Sequence, residues 1–362
     1  MSLKREVQCI RYRFKIFVNS IKSCSLTNSD KNLLAERAVL RARIQGVQAE
    51  DFDQLALDVF QFQRKHNPVY RYYLSLIGAA YGQPSKASEI PCLPISALKT
   101  HRIQTLEWEP VQEFTSSGTT GWNTSRHLLR DADWYRLNAR RGFEAQYGAV
   151  SGYCFLALLP SYLERSGSSL VFMAQDFISE SDYPQSGFFL NDTDVLLDRL
   201  AWCKAERVPT VLLGVSFALW DLAAAHPIDF PDLIVMETGG MKGRREELTR
   251  PELHDLLKAG FGVSAIHSEY GMTELLSQAY SPGEGLFRPA DTLRVVPRDI
   301  YDPFSTQPLG QTAALNLIDL ANLDTISFLA SDDLGVVFAD QSFQVLGRQD
   351  NSDLRGCNLM VV

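Results

Sequence analysis

The feature that most constrains this chain of 362 residues is an alternation, from about residue 152 onward, of short apolar segments with longer helical patterns. A short apolar segment bounded by turn residues is typical of a strand buried on both faces. Such strands are predicted at 153–159, 169–175, 210–216, 233–238 and 263–268. Helices are predicted at 192–207, 217–226 and 244–260. The alternation predicts an α/β fold, an open sheet with crossover helices, in which binding sites lie at the carboxyl ends of the strands.

The segments on either side of this region have different patterns. Before it, apolar residues recur at helical spacing over 3–18 and 32–62, and a turn-rich stretch follows over 82–94. After Ser281, Pro, Gly and Asp separate short predicted strands, which indicates a smaller β-rich subdomain; these strands lie at 293–296, 313–318 and 336–338. We therefore expect three parts, a helical N-terminal segment, a main domain and a short C-terminal tail, with bounds at 1–85, 86–346 and 347–362.

The composition excludes several classes of protein. The formal net charge is −8 and no basic stripe is present, which argues against a nucleic-acid partner. The longest uncharged segment, 145–163, contains Gly, Ser, Gln and Pro, so no membrane span is expected. The start, MSLKREVQ, lacks the apolar core of a secretory signal, and the six cysteines form no CxxC pair. We expect a cytoplasmic protein with free thiols and no zinc site.

The strongest local signal is the hydroxyl- and glycine-rich segment FTSSGTTGWNTSRH at 114–127. Its backbone N–H groups and hydroxyls are suited to wrapping phosphate oxygens. The candidate phosphate-binding residues are Ser116, Ser117, Gly118, Thr119, Thr120 and Gly121. Composition alone favours a solvated linker, and the Walker pattern GxxxxGKS/T is absent, so the segment needs support from other motifs.

Two further polar segments follow predicted buried strands. SEYGMTE at 268–274 places Tyr270, Thr273 and Glu274 at the end of one strand, and METGGMKG at 236–243 places Gly239 and Gly240 at the end of another. The paired glycines would let the backbone approach a flat ring closely. Taken alone, Glu274 fits a carboxylate at a helix N-terminus equally well. Together the two segments predict a binding edge of the sheet.

These segments, in this order, resemble the motifs of the adenylate-forming enzymes. SSGTTG resembles that family's phosphate loop, ETGG its adenine-binding segment, and YGMTE its core motif. SDDLG at 331–335 is similar to the motif whose Asp holds the ribose hydroxyls. GRQDNSDLRG at 347–356 is similar to the hinge motif, one residue shorter than usual. The agreement in order across residues 115–356 identifies the chain as similar to the N-terminal domain of that family.

The resemblance implies a site for ATP and Mg²⁺, with roles carried over from the matching motifs. The hydroxyls of the loop would cradle the phosphates, and the residues expected to border the adenine are Gly239, Gly240, Tyr270 and Gly271. Thr273 and Glu274 would serve phosphate and Mg²⁺, the latter a hard cation that takes carboxylate oxygens together with phosphate and water. Asp333 would occupy the ribose position, Arg348 would reach the ribose or a phosphate, and Asp350 would occupy the hinge.

Two departures from the family are visible in the sequence. A Lys usually lies three residues past the loop's last Gly, whereas here Trp122, Asn123 and Thr124 follow Gly121. The nearest basic side chains are Arg126 and His127, one of which is expected to substitute as a catalytic group. The family's hinge usually leads into a mobile domain with a catalytic Lys, but six residues follow Gly356 and no Lys follows Lys258. We therefore expect the usual mobile C-terminal domain to be lacking.

The short architecture is similar to that of the acyl-protein synthetase (LuxE-type) family. The similarity includes the shortened loop followed by a His, a PxLPxSxLK-like stretch at 91–99, and Cys357 near the C-terminus. It implies that a fatty acid is activated as an acyl-adenylate and passed to Cys357, then to an acyl-accepting reductase or carrier protein. The neighbouring Arg355 would favour the reactive thiolate. The segment GCNLMVV also fits a closing strand in which Cys357 is a small hydrophobic residue.

Two alternatives to this function remain open. The first is an acyl- or aryl-CoA or carrier-protein ligase of the phenylacetate–CoA ligase type, for which CoA would be the acceptor. The second is a non-catalytic nucleotide-binding protein, in keeping with the missing Lys. His267, at the end of a predicted strand, would either border the acyl pocket or serve the structure.

Overall fold

The computed structural model of the chain describes residues 28–78, 83–116, 124–159, 167–190, 192–239 and 248–349. The chain divides into two compact units, Met1–Gln45 and Gly46–Val362. The helices are α1 (Asn28–Gln45), α2 (Phe52–His66), α3 (Pro68–Ile77), α4 (Ala97–Thr100), α5 (Ala132–Tyr147), α6 (Ser169–Glu180), α7 (Thr193–Ala205), α8 (Ser216–Ala225) and α9 (Arg250–Phe261). No helix among the described residues has both the length and the apolar character needed to cross a membrane. The bounds of the three predicted parts remain predictions.

The main sheet begins with a parallel set of strands. These are β4 (Cys154–Leu158), β5 (Gly187–Phe188), β6 (Thr210–Val215), β7 (Ile234–Thr238) and β8 (His267–Tyr270). Their spatial order is β8-β7-β6-β4-β5, and all of their mutual pairings are parallel. Helices α6 to α9 connect successive strands, as right-handed crossovers require for a parallel sheet. The predicted α/β class is confirmed.

An antiparallel set of strands continues the same sheet. It consists of β9 (Ala279–Ser281), β10 (Leu286–Pro289), β11 (Leu293–Arg298), β12 (Thr312–Asp319), β13 (Phe328–Val337) and β14 (Phe343–Arg348). The order β11-β12-β13-β14-β10-β9-β8 joins this set to the parallel strands without a break, and the short β1 (Leu93–Pro94) pairs with β13. The predicted β-rich part is therefore hydrogen-bonded to the α/β part. A separate hairpin pairs β2 (Gln112–Thr115) with β3 (Arg126–Leu129).

Both faces of the parallel strands are covered, which explains why their sequences are almost continuously apolar. On one face α7, α8 and α9 pack Leu200, Leu219 and Leu257 against buried residues of β4, β6 and β7. On the other face Phe143 of α5 and Phe177 of α6 make ring contacts with Phe155 of β4, with centroids 5.4 Å apart in both pairs. Because neither face is solvated, side chains on both faces at the carboxyl edge are shielded from bulk water.

One predicted strand is wrong, because residues 169–175 belong to helix α6. The hydroxyl of Ser168 accepts the backbone N–H of Val171, which caps the helix. Met173, Ala174 and Phe177 are buried at helical spacing, and Asp176 accepts both guanidinium bonds of Arg140 at 2.7 Å. A short apolar segment cannot be assigned to a strand or a buried helix from periodicity alone. Here the capping serine marks the segment as the start of a helix.

Other boundaries differ by smaller amounts. The strand predicted at 263–268 begins only at His267, because β7 offers it pairing partners from Met236 to Thr238 and no earlier. The helical pattern over 32–62 divides into α1 and α2, and the helix predicted over 244–260 is described from Arg250. The helix predicted over 3–18 lies outside the described residues.

Candidate active site

The carboxyl ends of β7 and β8 lie side by side, because these strands are parallel neighbours. Gly239 follows β7 with φ +76°, a left-handed conformation that favours glycine. Its carbonyl accepts a hydrogen bond from the Ser216 hydroxyl at 2.7 Å, which ties it to the start of α8. The exposed Gly271 follows β8 at the same edge. The two predicted polar segments therefore meet, as expected for a binding edge.

Tyr270, Asp333 and Arg348 form one contact group at this edge. Asp333 of β13 and Arg348 of β14 are direct cross-strand partners, and the Arg348 Nε donates to Asp333 Oδ1 at 3.1 Å. The Tyr270 hydroxyl donates to Asp333 Oδ2 at 2.7 Å. Burial and the Asp333 carboxylate hold the pKa of Tyr270 well above its usual range, so the phenol stays a donor. Asp333 is thereby fixed as an oriented acceptor.

The ring of Tyr270 is itself held by two aromatic neighbours. Its centroid lies 5.3 Å from that of Phe343 and 5.8 Å from that of Phe287, with the first pair nearly perpendicular. Such contacts add to the area that the ring buries and fix its plane. A flat group at the edge would therefore meet a preorganised aromatic surface.

Glu274 lies beneath the base of the hydroxyl-rich loop. Its side chain is buried, and this burial raises its pKa, while a hydrogen bond from the Ser125 hydroxyl and the charge of Arg348 oppose that rise. The backbone N–H of Ser125 donates to the Ser116 hydroxyl at 2.9 Å, and the Ser116 N–H donates to the Ser125 carbonyl at 3.1 Å. Ser116 and Glu274, predicted from separate motifs, are thus connected through Ser125.

His127 of β3 is a buried side chain that holds the segment after β8. Its Nδ1 donates to the Thr273 carbonyl at 2.8 Å, which leaves Nε2 facing the Thr325 hydroxyl at 3.0 Å. Burial lowers the pKa of His127 to about 4, so the imidazole is neutral at pH 7. The Asn322 amide donates to the Glu274 carbonyl at 2.9 Å. The backbone carbonyls of Thr273 and Glu274 are therefore held by hydrogen bonds from the side chains of His127 and Asn322.

Arg126, the other basic residue predicted to replace the missing Lys, points elsewhere. Its guanidinium donates twice to the Glu113 carboxylate across the β2–β3 hairpin, at 2.5 and 3.1 Å. The Arg126 side chain is 64% exposed. The structure brings together the other described candidates but leaves Arg126 in a surface ion pair; its catalytic role remains a prediction.

Several predicted site residues lie outside the described residues, and their roles remain predictions. They are Ser117, Gly118, Thr119, Thr120, Gly121, Gly240, Asp350 and Cys357. Among the residues that are described, no group of three or more His, Cys, Asp or Glu side chains is arranged to hold a metal ion. A cation at this edge would therefore depend on Glu274 together with ligands from phosphate and water.

The structure adds two buried carboxyl groups that the sequence reasoning missed, Glu237 of β7 and Glu269 of β8. Glu237 accepts hydrogen bonds from the hydroxyls of Ser216 at 3.1 Å and Ser268 at 2.8 Å. Glu269 accepts one from the Thr238 hydroxyl at 2.5 Å. Glu237 is the one charged residue within the apolar strand predicted at 233–238, which is the signal that could have identified it. Glu269 lies in the polar strand His267–Tyr270, just past the strand predicted at 263–268, and had no such signal.

Comparisons with known proteins were made by sequence and by structure. No protein-family model matches the chain, and no curated protein matches it either. The fold is similar to that of an open 2-hydroxyisobutyryl-CoA ligase in complex with 2-HIB-AMP and CoA, with TM-score 0.59, 15% identity, and coverage of 86% of this chain and 78% of that one. The same ligase in the thioesterification state matches with TM-score 0.59, 16% identity, and coverage of 86% and 71%.

ATP-bound MatB from Rhodopseudomonas palustris matches with TM-score 0.50 and 18% identity, covering 65% of this chain. The chain spans about half the length of that protein, 47% of it being covered. Identities this low establish the fold and leave activity to be argued from the site. The chain therefore shares its fold with 2-hydroxyisobutyryl-CoA ligase and with MatB.

Proposed function

We propose that the protein activates a carboxylic acid with ATP, forming an acyl-adenylate, and passes the acyl group to a thiol. The observation that carries the proposal is the convergence of Tyr270, Asp333, Arg348 and Glu274 at one edge of the sheet. These residues come from three separate sequence motifs. Asp333 bonds both Tyr270 and Arg348, and the charge of Arg348 acts on Glu274. Such an edge is where open α/β sheets bind their ligands.

In the first step a carboxylate oxygen of the acid attacks the α-phosphorus of ATP. A new P–O bond forms, the bond from the α-phosphorus to the bridging oxygen breaks, and pyrophosphate leaves. The nucleophile is already ionised, so the reaction needs alignment and charge stabilisation more than a protein base. In this proposal Asp333 accepts from the ribose hydroxyls, Tyr270 borders the adenine, and Arg348 faces ribose or phosphate.

His127 has a positioning role in this proposal in place of direct contact with the phosphates. Both of its ring nitrogens are engaged, one with the Thr273 carbonyl, and the side chain is only 1% exposed. Together with Asn322 it keeps Thr273 and Glu274 aimed at the phosphates. A neutral imidazole is sufficient for this role because it needs a single N–H donor.

Glu274 would hold Mg²⁺. Burial raises the pKa of this carboxyl, and a nearby cation stabilises its ionised form. When bound, Mg²⁺ supplies positive charge to the phosphate oxygens. One carboxylate is enough for such a site, since Mg²⁺ in nucleotide enzymes keeps several waters and phosphate ligands.

The proposed acceptor is Cys357, by resemblance to the acyl-protein synthetases, with an acyl-accepting reductase or carrier protein downstream. The thiolate sulfur attacks the acyl carbon, a C–S bond forms, and the bond from that carbon to the AMP oxygen breaks as AMP leaves. CoA is the alternative acceptor. The resemblance favours a fatty acid as substrate, and the polarity of the site bears on that choice below.

Acid-dependent exchange of labelled pyrophosphate into ATP tests the first step. We expect exchange with at least one acid of a panel, and its loss in Glu274→Gln, because that change removes the negative charge that faces Mg²⁺ at constant volume. Glu252→Gln, at an exposed helix start, is the matched control and should retain exchange. ATP binding without exchange would favour the non-catalytic alternative, and normal exchange in Glu274→Gln would remove Glu274 from the site.

Protein labelling tests the acceptor. With ATP and the radiolabelled acid, the wild type should carry a label that survives denaturation and that neutral hydroxylamine releases, as expected for a thioester. Cys357→Ser should retain pyrophosphate exchange and lose the hydroxylamine-sensitive label, whereas Cys9→Ser should keep it. Efficient acylation of CoA with no protein label at any stage would favour the CoA-ligase alternative.

A further inference from the structure

Neighbouring residues of β7 and β8 face opposite sides of the sheet. Glu237 is the register partner of Ser268, and Thr238 is that of Glu269. Side chains alternate along a strand, so Glu237 with Ser268 faces α9, and Thr238 with Glu269 faces the α5 side. On that side His267 contacts the Tyr147 hydroxyl of α5 at 3.0 Å. The α5 side of the carboxyl edge is thus lined by polar groups.

The Glu269 carboxyl has one partner and one open oxygen. Oε2 accepts from the Thr238 hydroxyl, while Oε1 has no hydrogen-bond partner among the described residues. Oε1 points toward Gly271, where a Cβ would lie 2.2 Å from it. The same Cβ position is 3.6 Å from Cγ of Gln278, so Glu269 Oε1 and the Gln278 side chain are neighbours.

Gln278 is itself a buried polar side chain without a full set of partners. It is 3% exposed, and within the described part of the chain its Oε1 has no hydrogen-bond partner. A second such acceptor lies on the facing side of α5, where Asn138 uses Nδ2 to donate to the Trp134 carbonyl and leaves Oδ1 unpartnered. Buried polar atoms in native proteins are almost always satisfied, so these open acceptors take a donor from water or from a ligand.

Among the described residues, no cation pairs with the Glu269 carboxyl. The groups that act on it are the Thr238 hydroxyl and the like-charged Glu237, and burial with these neighbours raises its pKa to about 7. Isolated burial of a carboxyl is costly, and such groups in a binding edge are candidates for function. Within the described part of the chain, the donor to this carboxyl is the Thr238 hydroxyl, which bonds Oε2 and leaves Oε1 open.

The open oxygen of Glu269 lies against Gly271, which is among the residues proposed to bind the nucleotide. Glu269 immediately precedes Tyr270, and Thr238 immediately precedes Gly239. An acid whose carboxylate reaches the α-phosphate would therefore bring its nearest carbon atoms close to Glu269. An unsubstituted alkyl chain at this position would leave Glu269 Oε1 without a donor, which disfavours such a substrate.

We propose that Glu269, assisted by Gln278, receives a hydrogen-bond-donating group of the substrate, so that the acid carries a hydroxyl or ammonium close to its carboxyl carbon. This inference rests on the proposed adenylation. It replaces the fatty acid implied by the family resemblance with a short, donor-bearing carboxylic acid. A site that pairs its buried acceptors with a substrate donor rejects the analogue that lacks one.

Stable mimics of the acyl-adenylate allow a direct test by calorimetry. The probes are acylsulfamoyl adenosines in two matched series, with amino, hydroxyl or methyl as the only difference. Alanyl, lactyl and isobutyryl probes vary the second carbon, and β-alanyl, 3-hydroxypropionyl and butyryl probes vary the third. In at least one series the wild type should bind the amino or hydroxyl probe at least about ten-fold tighter than the methyl probe. This comparison uses only the wild-type protein, so it does not depend on the folding of any variant.

A pair of variants assigns the preference to its residue. Glu269→Gln should reduce the ratio of donor-probe to methyl-probe affinity about ten-fold, because the charged acceptor is lost. Glu237→Gln, the same change on the opposite face, should leave that ratio unchanged. Equal or tighter binding of the methyl probes by the wild type, or an undiminished ratio in Glu269→Gln, would overturn the inference while the adenosine half still binds. Failure of every probe and of AMP to bind would overturn the proposed function, and this inference with it.

Discussion

Glu237 and Glu269 are the same residue type, buried to a similar degree on adjacent central strands, yet their surroundings differ. Glu237 is met by the Ser216 and Ser268 hydroxyls, by Arg250 Nε at 3.4 Å and by His254 Nε2 at 3.6 Å. Burial alone would raise its pKa, but these partners hold the pKa below its ordinary value. Glu269 has one hydroxyl partner and a pKa raised to about 7.

The difference teaches that burial by itself does not assign a role to a carboxyl group. The Glu237 carboxylate is surrounded by two hydroxyls and by Arg250 and His254 inside the protein, so its charge is already used within the fold. A carboxyl with an open oxygen and no cation is available to a ligand. The chain places these two cases one residue apart in the sheet register, on opposite faces.

The largest expected difference between Glu237 and Glu269 is in their contributions to folding stability. Glu237→Gln should lower the free energy of unfolding by about 3 kcal/mol, because it removes the buried carboxylate that pairs with Arg250. Glu269→Gln should cost little at pH 8, where the wild-type carboxylate is ionised without a cation. Urea unfolding at pH 8 measures both. Equal losses in the two variants would contradict the comparison.

The next largest effect is the pH dependence of the contribution that Glu269 makes to the free energy of unfolding. The pKa of Glu269 rises from its ordinary value of 4.5 to about 7 in the folded chain, so folding favours its protonated form. Its contribution is fully present below pH 4.5 and is lost as the pH rises through 7, with a change of about 3 kcal/mol. The free energy of unfolding of the wild type minus that of Glu269→Gln should therefore fall over this window.

The free energy of unfolding must be compared between the wild type and Glu269→Gln, because the contribution of His127 to stability changes with pH in the opposite direction. Its pKa falls from 6.5 to about 4, so the stability that it contributes is present above pH 6.5 and is lost as the pH drops through 4. The two windows overlap, and the wild-type profile alone would conceal both slopes. A wild-type-minus-variant difference that stays flat from pH 4.5 to 7 would contradict the pKa assigned to Glu269.

A third prediction applies the comparison to the nucleotide edge. Asp333→Ala should weaken ATP and AMP binding roughly ten- to hundred-fold, because an oriented, charged acceptor for the ribose is lost. Asp332→Ala, its half-buried neighbour in β13, should change the affinity little. Equilibrium binding of a fluorescent nucleotide measures both. If the larger loss occurred at Asp332, the assignment of the ribose position would be wrong by one residue.

The smallest expected effect is at Arg126. Its ion pair with Glu113 is at the surface, and such pairs contribute about 0.2–1 kcal/mol. Arg126→Ala should therefore lower the free energy of unfolding by no more than that, and raising the salt concentration should reduce the difference. Pyrophosphate exchange in the same variant tests the predicted catalytic role: retained exchange would exclude it, and a loss with intact stability would support it.

The order of motifs was accessible from the sequence because each motif is local. A glycine with positive φ after a strand, an aromatic residue at a strand end and a carboxylate three to four residues later are visible in ETGG and YGMTE without any knowledge of the partners. The strands at 153–159, 210–216 and 233–238 were equally visible, because parallel strands covered on both faces are continuously apolar. The assignment of 169–175 failed for the same reason: an apolar segment carries no period when a helix is buried on most sides.

The sequence by itself determined the α/β class, since that class depends on local pattern. It also predicted Tyr270, Glu274, Asp333 and Arg348 as site residues, from the order of the motifs. Only the tertiary structure decided that His127 clamps the Thr273 carbonyl, that Arg126 pairs with Glu113, and that Glu237 is satisfied whereas Glu269 is not. These properties depend on contacts between residues far apart in the chain. The state of a buried charge is set by the groups that surround it, and those groups are assembled only when the chain folds.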